Sequence, residues 1–219
     1  MITYNGKILK YGTKWVKSGA APAPSGAVIG GKTYPTVVMP DGSTWLAVNL
    51  DYAWTGLSVP TSGATQSTDP QAMYYDYDES TYGWNGYKCG LLYNWYAVDY
   101  LEQHKATLCP GWHVPSTEEW NALATAVGGA STAGTKLKAS DVSWASSWVG
   151  TDDYGFAALP AGYSDGMFYS VGSGAFFWSA TEVNSWNARY RSFGSTVAQI
   201  SSNYNFKEYQ YSVRLVKDS

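Results

Sequence analysis

The sequence predicts an α+β domain with two helices, small antiparallel sheets and long irregular loops. Two stretches carry helical signals, and many short apolar runs are separated by turns rich in Gly, Ser and Asn. Charged residues make up 14% of the 219 residues and aromatic residues 16%. Because so little of the polarity comes from charge, a loop-rich fold is favoured over a helical bundle.

The first 26 residues are predicted to form a separate N-terminal segment. Residues 1–17 alternate in the manner of a short β-hairpin, with Asn5-Gly6 as the tight turn. Small residues with two prolines follow, a composition typical of a linker. We therefore expect one ligand-binding domain over residues 27–219.

This domain opens with a predicted strand, a Pro-Asp-Gly turn at residues 40–42 and a second strand. Residues 55–90 are polar but rich in aromatics, which indicates a long ordered loop region rather than disorder. The run LLYNWYAVDYLEQHK then has helical spacing. On that spacing Leu92, Trp95 and Tyr96 would lie on one face of the first helix, with Tyr100 as a further candidate for that face.

The second helix has a clear start. Ser116 as N-cap and Glu119 three residues later form a capping box. Trp120, Leu123 and Val127 supply the buried stripe, and a Gly-Gly pair ends the helix. Beyond residue 140 the sequence turns to strands and loops, with strands predicted in FAALPAGY, AFFWSATE and YSVRLVKD.

Few side chains in the sequence point to catalysis. His104 near a helix end and His113 between a turn and the capped helix are the two histidines, and both placements favour structural roles. Neither a G-x-S-x-G elbow nor a G-x-x-x-x-G-K phosphate loop occurs. A net charge of −3 offers no basic stripe for nucleic acid. We therefore expect a chain that is not an enzyme and has no nucleic-acid partner.

Two carboxylate clusters could bind calcium through a flexible loop. They are Asp76, Asp78 and Glu79, and Asp152 with Asp153. Solvated turns or carboxylates that cap loop backbone are the favoured interpretation, since the D-x-D-x-D-G calcium loop is not matched. We expect no cofactor, with a structural calcium as the alternative.

Cys89 and Cys109 are the two cysteines, and they leave two alternatives open. A single disulfide would suit an extracellular protein, and two buried free thiols would suit a packed core equally well. Their spacing matches no zinc motif.

The segment from Val183 to Phe206, VNSWNARYRSFGSTVAQISSNYNF, has the composition of a binding surface. It is rich in Asn, Ser and aromatic residues, and its two charges are both arginines. Tyr, Ser, Asn and Arg dominate antibody-like paratopes. Five aromatic residues have polar neighbours that suggest exposure and ligand contact, with ordinary half-buried strand aromatics as the open alternative: Trp186, Tyr190, Tyr204, Tyr209 and Tyr211. Tryptophans in apolar contexts are assigned to the core, such as Trp45, Trp95, Trp112, Trp120 and Trp178.

Several phrases together resemble the Fibrobacter succinogenes major paralogous domain family. They are GKTYPTVVMPDGSTWLAVNLDYAW, YGWNGYKCGLLYNWYAV, LCPGWHVPSTEEWNALATAVGG, GTDDYGFAALPAGY, FFWSATE and YSVRLVKD, which span about residues 30–218. The family is similar to C-type lectin-like domains and related in fold to formylglycine-generating enzymes. The resemblance implies a C-type lectin-like fold with a long irregular ligand-bearing region.

Members of this family also serve as variable proteins of diversity-generating retroelements, in which a C-terminal segment is rewritten at adenines. The resemblance implies a variable region at about residues 183–211. The implied ligand-binding positions are Asn184, Ser185, Asn187, Arg189, Tyr190, Arg191, Ser192, Ser195, Asn203, Tyr204, Asn205, Tyr209 and Tyr211. Trp178, Trp186 and Phe193 would be the fixed scaffold of the site.

Departures from related patterns limit what the resemblance implies. The E-P-N, Q-P-D and W-N-D motifs of calcium-dependent lectins are missing, because Trp186-Asn187 is followed by Ala188. The two cysteines lack the close spacing used by formylglycine-generating enzymes. Neither calcium-mediated sugar binding nor catalysis is therefore implied.

The N-terminal segment resembles openings of phage tail-tip proteins, and no secretory signal or membrane-spanning run is visible. We therefore expect a virion-borne or extracellular binding protein whose partner is a protein or glycan receptor on a target cell. Membrane insertion is not expected, and the N-terminal segment is the candidate oligomerisation element. The alternatives are a bacterial surface adhesin or carbohydrate-binding module without diversification and, third, a formylglycine-type enzyme.

Overall fold

A computed structural model of the chain describes residues 26–63, 65–77, 89–140 and 147–219 in full. It also describes residues 142 and 145 and the strand backbones 2–4, 7–9, 83–84 and 87–88. The predicted Asn5-Gly6 turn, the two prolines of the linker and the carboxylates of Asp78 and Glu79 lie outside the described residues. The domain boundary near residue 26 stays a prediction.

The described residues form eighteen short strands, four α-helices and one 3-10 turn, as the sequence composition led us to expect for an α+β chain. The strands are β1 (Ile2–Tyr4), β2 (Lys7–Leu9), β3 (Ala27–Ile29), β4 (Lys32–Tyr34), β5 (Thr36–Val38), β6 (Thr44–Leu46), β7 (Ala72–Met73), β8 (Gly83–Trp84), β9 (Tyr87–Lys88), β10 (Leu92–Asn94), β11 (Trp112–His113), β12 (Ala161–Ser164), β13 (Phe168–Val171), β14 (Gly174–Glu182), β15 (Asn187–Gly194), β16 (Ile200–Phe206), β17 (Gln210–Tyr211) and β18 (Val216–Lys217). The helices are α1 (Trp95–Gln103), α2 (Lys105–Leu108), α3 (Thr117–Ala126) and α4 (Ala130–Leu137), and the 3-10 turn is Tyr75–Tyr77.

The first predicted helix exists but begins later and buries a different face. Asn94 is its N-cap, and the Asn94 side chain accepts a hydrogen bond from the Ala97 N–H at 2.9 Å. Leu92 therefore lies in β10 and not in the helix. The buried positions of α1 are Trp95, Ala97, Val98 and Leu101. The predicted face is therefore only partly right, because Trp95 is buried, Tyr96 is half-buried and Tyr100 is exposed.

The second predicted helix is confirmed as α3. The Glu119 N–H donates to Ser116 Oγ at 3.2 Å, and the Ser116 N–H donates to Glu119 Oε2 at 2.8 Å. Trp120, Leu123 and Val127 are buried as predicted. The short helices α2 and α4 were not predicted. Helix α4 starts directly after the Gly-Gly pair that follows α3, and both helices pack on the same core cluster.

The largest sheet positions the candidate site. Its strand order is β16-β15-β14-β12-β17-β10-β7, with β13 paired to β12. A second sheet has the order β11-β18-β6-β5, and β1-β2, β3-β4 and β8-β9 form separate hairpins. The antiparallel pairing of β1 with β2 confirms the predicted N-terminal hairpin. The predicted C-terminal strand instead divides into β17 and β18, which belong to different sheets.

Two aromatic-rich clusters form the core. One packs Trp45, Trp120, Phe156 and Phe177 beneath helices α3 and α4, with Trp45 and Trp120 rings 4.9 Å apart. The other joins the large sheet to α1 and includes Trp178 and Tyr211. The tryptophans assigned to the core by their apolar contexts are all buried. Strand β14 contributes to both clusters, and its outer neighbours β15 and β16 reach the surface.

Candidate functional site

The predicted binding segment folds as a two-stranded ribbon at the edge of the large sheet. We define the ribbon as β15 with β16, joined by the loop 195–199. Asn187 pairs with Phe206 at one end and Phe193 with Ile200 at the other. On its inner side β15 pairs with β14. The outer strand β16 is the last in the sheet.

Strand alternation divides the predicted site residues between two faces of the ribbon. Side chains that lie directly opposite each other in an antiparallel pair share a face. One face, here the aromatic face, carries Tyr190 opposite both Trp178 and Asn203, and Ser192 opposite Ser201. The other, here the arginine face, carries Asn187, Arg189, Arg191, Tyr204 and Phe206. The predicted site residues therefore do not form one continuous surface.

The aromatic face rests on a cluster of rings around Tyr211. The Tyr211 ring centroid lies 4.5 Å from Trp178, 4.7 Å from Tyr190 and 5.5 Å from Phe176. Asn205 Nδ2 donates to the Tyr211 hydroxyl at 2.8 Å. Burial raises the pKa values of Tyr211 and Tyr190 above the ordinary tyrosine value, so both phenols stay neutral at physiological pH.

The floor of this cluster extends beyond the predicted segment. Tyr163 on β12 stacks on Tyr209 with centroids 6.2 Å apart and an interplanar angle of 14°. The same ring packs edge-on against Phe176 at 4.9 Å and stacks on Tyr169 at 5.3 Å. Half-buried rings beside the half-buried Ser192 and Ser201 and the exposed Asn203 offer apolar contact together with adaptable hydrogen bonds.

The arginine face contains two arginines in different environments. The Arg189 guanidinium lies over the ring of Tyr204, 5.7 Å from its centroid, and is partly exposed. Arg191 is only 5% exposed. Its Nη2 donates to the Thr117 carbonyl at 3.0 Å and to Asn121 Oδ1 at 2.7 Å. Burial lowers the pKa of Arg191 below the ordinary arginine value.

The turn between β14 and β15 displays the most exposed aromatic side chain of the site. Asn184 Oδ1 accepts hydrogen bonds from the N–H groups of Trp186 and Asn187, both at 2.9 Å. This side-chain cap fixes the turn without using the indole ring. Trp186 is consequently 66% exposed, next to the exposed Ser185.

Buried lysines anchor both ends of the ribbon. At the loop end, Lys138 Nζ donates to the carbonyls of Gly194, Ser195 and Val197 at 2.9–3.0 Å. At the turn end, Lys207 Nζ bonds Glu182 at 2.5 Å and lies 4.5 Å from the centroid of a Trp95 ring. Desolvation lowers the pKa of Lys138, and the three carbonyls hold its ammonium group in place.

Most predicted site residues reach the surface, and two do not. Exposed or half-buried positions are Asn184, Ser185, Asn187, Arg189, Tyr190, Ser192, Ser195, Asn203, Tyr204, Asn205 and Tyr209. The exposure expected for Tyr211 is wrong, because the Tyr211 side chain fills the ring cluster and is 2% exposed. Arg191 is also in the interior, because α3 accepts its hydrogen bonds. That any of these residues contacts a ligand remains a prediction.

Of the three predicted scaffold residues, two are buried and one is exposed. Trp178 and Phe193 are buried as expected. Trp186 is not packed into the scaffold, because its backbone is held by Asn184 and its ring lies on the turn surface. Its place as a fixed position therefore rests on the resemblance alone.

Sequence reasoning missed three aromatic residues at the site. Phe176 and Tyr163 lie outside the predicted segment but form the floor of the aromatic face. Phe206 ends β16 with its ring 54% exposed on the arginine face. Successive side chains of a strand point to opposite faces, so in AFFWSATE the side chain of Phe176 lies on the face opposite to that of the buried Phe177. This alternation is a sequence signal that could have identified Phe176 as a site residue.

The two cysteines and Asp152 have buried or hydrogen-bonded surroundings. Cys89 and Cys109 are buried free thiols, and burial raises the pKa of each to about 12. Asp152 Oδ1 accepts the Ala157 N–H at 2.8 Å within its own loop. Among the described residues no group of three or more His, Cys, Asp or Glu could hold a metal ion. No helix in this part of the chain has the length and apolar character needed to span a membrane.

The two histidines both bond to neighbouring backbone or carboxylates. His113 Nε2 lies 2.7 Å from Glu119 Oε1, and His113 Nδ1 lies 2.6 Å from Asp218 Oδ1. His104 stacks on Tyr100 with ring centroids 4.0 Å apart, and its Nδ1 lies 2.8 Å from the Tyr100 carbonyl oxygen. Both histidine side chains therefore have hydrogen-bond partners, and the structural role expected from their placement stays a prediction.

Comparison with known proteins identifies the domain. No significant match was found among curated proteins or among solved structures. The family description that matches is the Fibrobacter succinogenes major domain, and the match covers residues 40–217, which includes α1, α3, the ribbon and its anchors. The chain therefore belongs to the Fibrobacter succinogenes major domain family.

Proposed function

We propose that the chain is a non-enzymatic binding protein that contacts its ligand through the ribbon. One observation carries this proposal: exposed Asn, Ser and Tyr side chains lie on a ribbon whose two ends are held by the buried side chains of Lys138 and Lys207. Rigid aromatic area with adaptable polar groups is the composition of binding loops and paratopes. The buried thiols and bonded histidines support a binding role, because a nucleophile or base must reach its substrate.

We further propose that the ribbon is diversified by a retroelement and that the protein serves as a phage or prophage tail-tip receptor-binding protein. The resemblance supports this, and so does the separation of exposed ribbon side chains from the buried frame. A fixed surface adhesin of the same fold is the alternative. Protein and glycan receptors both fit the neutral aromatic face.

The diversification is tested by sequencing the genomic neighbourhood. A near-copy of the segment that differs at adenines, beside a reverse transcriptase gene, is the expected result. Burial sharpens the expected pattern: we expect variation at the exposed Asn203 and Tyr204, and constancy at Arg191 and Tyr211, which have buried partners. A complete neighbourhood without such a copy refutes diversification and leaves the fixed adhesin.

Binding is tested with the fluorescently labelled chain on bacterial cells and on a glycan array. Asn203→Ala is the probe variant, because Asn203 is exposed at the centre of the ribbon. Ser131→Ala, on the exposed side of α4, is the matched control. Loss of binding with Asn203→Ala alone supports the proposal, and equal binding by both variants refutes it.

A further inference from the structure

The outer edge of β16 has the properties of an open docking strand. Its seven residues, ISSNYNF, contain neither a charged residue nor a proline. Natural sheets usually protect an edge strand with charges, proline, a bulge or a covering element. Ser202, Asn203 and Tyr204 in its centre are exposed, and no strand pairs with the outer side of β16 among the described residues.

The pairing pattern shows which main-chain groups face outward. The Lys207 N–H donates across the ribbon to the Trp186 carbonyl at 2.9 Å. Hydrogen-bonded residues alternate along an antiparallel pair, so Asn205 and Asn203 also bond to β15. The main-chain groups of Ser202, Tyr204 and Phe206 therefore point away from β15.

Phe206 satisfies its own outward groups within the chain. Its N–H donates to Asn205 Oδ1 at 2.9 Å, and its carbonyl accepts the Tyr209 N–H at 3.1 Å. The N–H and C=O groups of Ser202 and Tyr204 have no such partner among the described residues. Two N–H donors and two C=O acceptors therefore lie along the outer edge of β16, in the arrangement that an added β-strand would pair with.

We propose that this edge binds an extended peptide segment of the partner as an additional β-strand. The inference rests on the proposed binding function and names the class of its ligand. Main-chain hydrogen bonds do not depend on side-chain identity, so the edge would supply affinity that survives changes in the ribbon sequence. The side chains of the two faces would then supply specificity.

Charge and apolar area on the arginine face define the peptide more closely. Arg189 forms no ion pair among the described residues, and its guanidinium lies beside the Tyr204 ring. A peptide residue opposite Tyr204 would share this face, about 10 Å from β15 at two strand spacings. An acidic side chain there reaches Arg189, and an apolar side chain two residues away reaches the exposed Phe206 ring.

The test uses seven-residue peptides selected on the whole chain from a random display library. Selected peptides are expected to alternate in polarity and to carry an acidic residue. Each is then N-methylated at one or the other alternate set of its amides. Methylation of the amides that face β16 is expected to weaken binding at least about tenfold, because two main-chain hydrogen bonds are lost. Methylation of the other set of amides is expected to leave binding unchanged. Equal effects of the two sets would overturn the proposal.

A pair of variants tests the edge from the protein side. Ser202→Pro removes one outward N–H, whereas Ser202→Ala keeps it, so only the proline variant should lose peptide binding. Arg189→Gln should remove the preference for the acidic residue. If no peptide is selected while Asn203-dependent binding to cells or glycans persists, the docking strand is refuted and the proposed function stands. Equal cell binding by Asn203→Ala and Ser131→Ala would refute the proposed function itself.

Discussion

Substitution of the two ribbon arginines separates structural from surface positions. Arg189 and Arg191 lie two residues apart on one strand and one face, and the family resemblance implies that both contact ligand. Arg191→Ser removes the donor to the Thr117 carbonyl and to Asn121 Oδ1. Arg189→Ser removes a partly exposed contact with one ring. We expect Arg191→Ser to destabilise the fold and Arg189→Ser to leave it nearly unchanged.

The magnitude for Arg191→Ser follows from its contacts. Two hydrogen bonds from a charged donor are each worth about 1.5–3 kcal/mol, or about 3–6 kcal/mol together. Release of the guanidinium from its buried site offsets part of this, since burying a charge is costly. A net loss of about 2–4 kcal/mol remains, which for a domain of this size lowers Tm by roughly 5–15 °C. Arg189→Ser forfeits about 0.5–1 kcal/mol of cation–π contact.

Urea and thermal unfolding followed by tryptophan fluorescence measure both variants against the wild type. The expected order is wild type, then Arg189→Ser close to it, then Arg191→Ser well below. Equal loss in the two variants would refute the assignment of Arg191 to the interior. It would also remove the reason to expect Arg191 to be constant in a diversified segment.

Four further substitutions test the core, the surface, the loop anchor and the pH dependence. Trp178→Ala is expected to cost about 3–5 kcal/mol in urea unfolding, and exposed Asn203→Ala less than about 0.5 kcal/mol; similar losses would contradict the core assignment. Lys138→Met removes the ammonium donor from the carbonyls of Gly194, Ser195 and Val197, of which Ser195 keeps the Val149 N–H. It should cost about 3 kcal/mol and speed hydrogen exchange over residues 195–199; unchanged exchange there would contradict the anchor. The pKa of His113 is raised above 6.5, because its hydrogen bond to Glu119 outweighs the effect of partial burial. Burial alone would raise the pKa of Glu119, but the hydrogen bonds from His113 and from the Ser116 N-cap lower it to about 2. The His113 contribution to stability is complete below pH 6.5 and is lost as pH rises through its folded pKa, whereas that of Glu119 is present above pH 4.5 and is lost towards pH 2. The stability difference between wild type and His113→Gln should therefore be larger at pH 5.5 than at pH 8.5, and equal differences would contradict this.

Local features of the fold were predictable because their causes are local. The capping box of α3 needs only Ser116 and Glu119 at the right spacing, and both bonds form. The buried tryptophans follow from apolar neighbours. The start of α1 was misplaced because Asn94 acts as its N-cap, and the apolar run through Leu91–Tyr93 has the same composition in a strand as in a helix.

Composition was enough to locate the candidate site in the sequence. It could not predict which of the site residues lie on which face of the ribbon, or which of them are buried. Alternation places Arg189 and Arg191 on one side of a strand once β15 is known. That Arg191 is buried depends on Thr117 and Asn121, about 70 residues earlier in the chain. Tyr211 is likewise buried because β17 pairs with β10 and β12, which are distant in sequence. Such contacts leave no mark in the local pattern of Asn, Ser and Tyr.

We expect the ribbon to tolerate changes at exposed strand positions such as Asn203 and Tyr204, because the contacts that fix its two ends do not involve those side chains. Lys138 holds the loop through the carbonyls of Gly194, Ser195 and Val197, and main-chain oxygens are present whatever the side chains are. Lys207 holds the turn end through Glu182, outside the ribbon strands. Between these anchors the register of β15 on β14 is set by inward residues such as Phe193. Substitutions at Asn203 or Tyr204 therefore alter the surface chemistry while the two ends, and the free edge of β16 between them, stay in place.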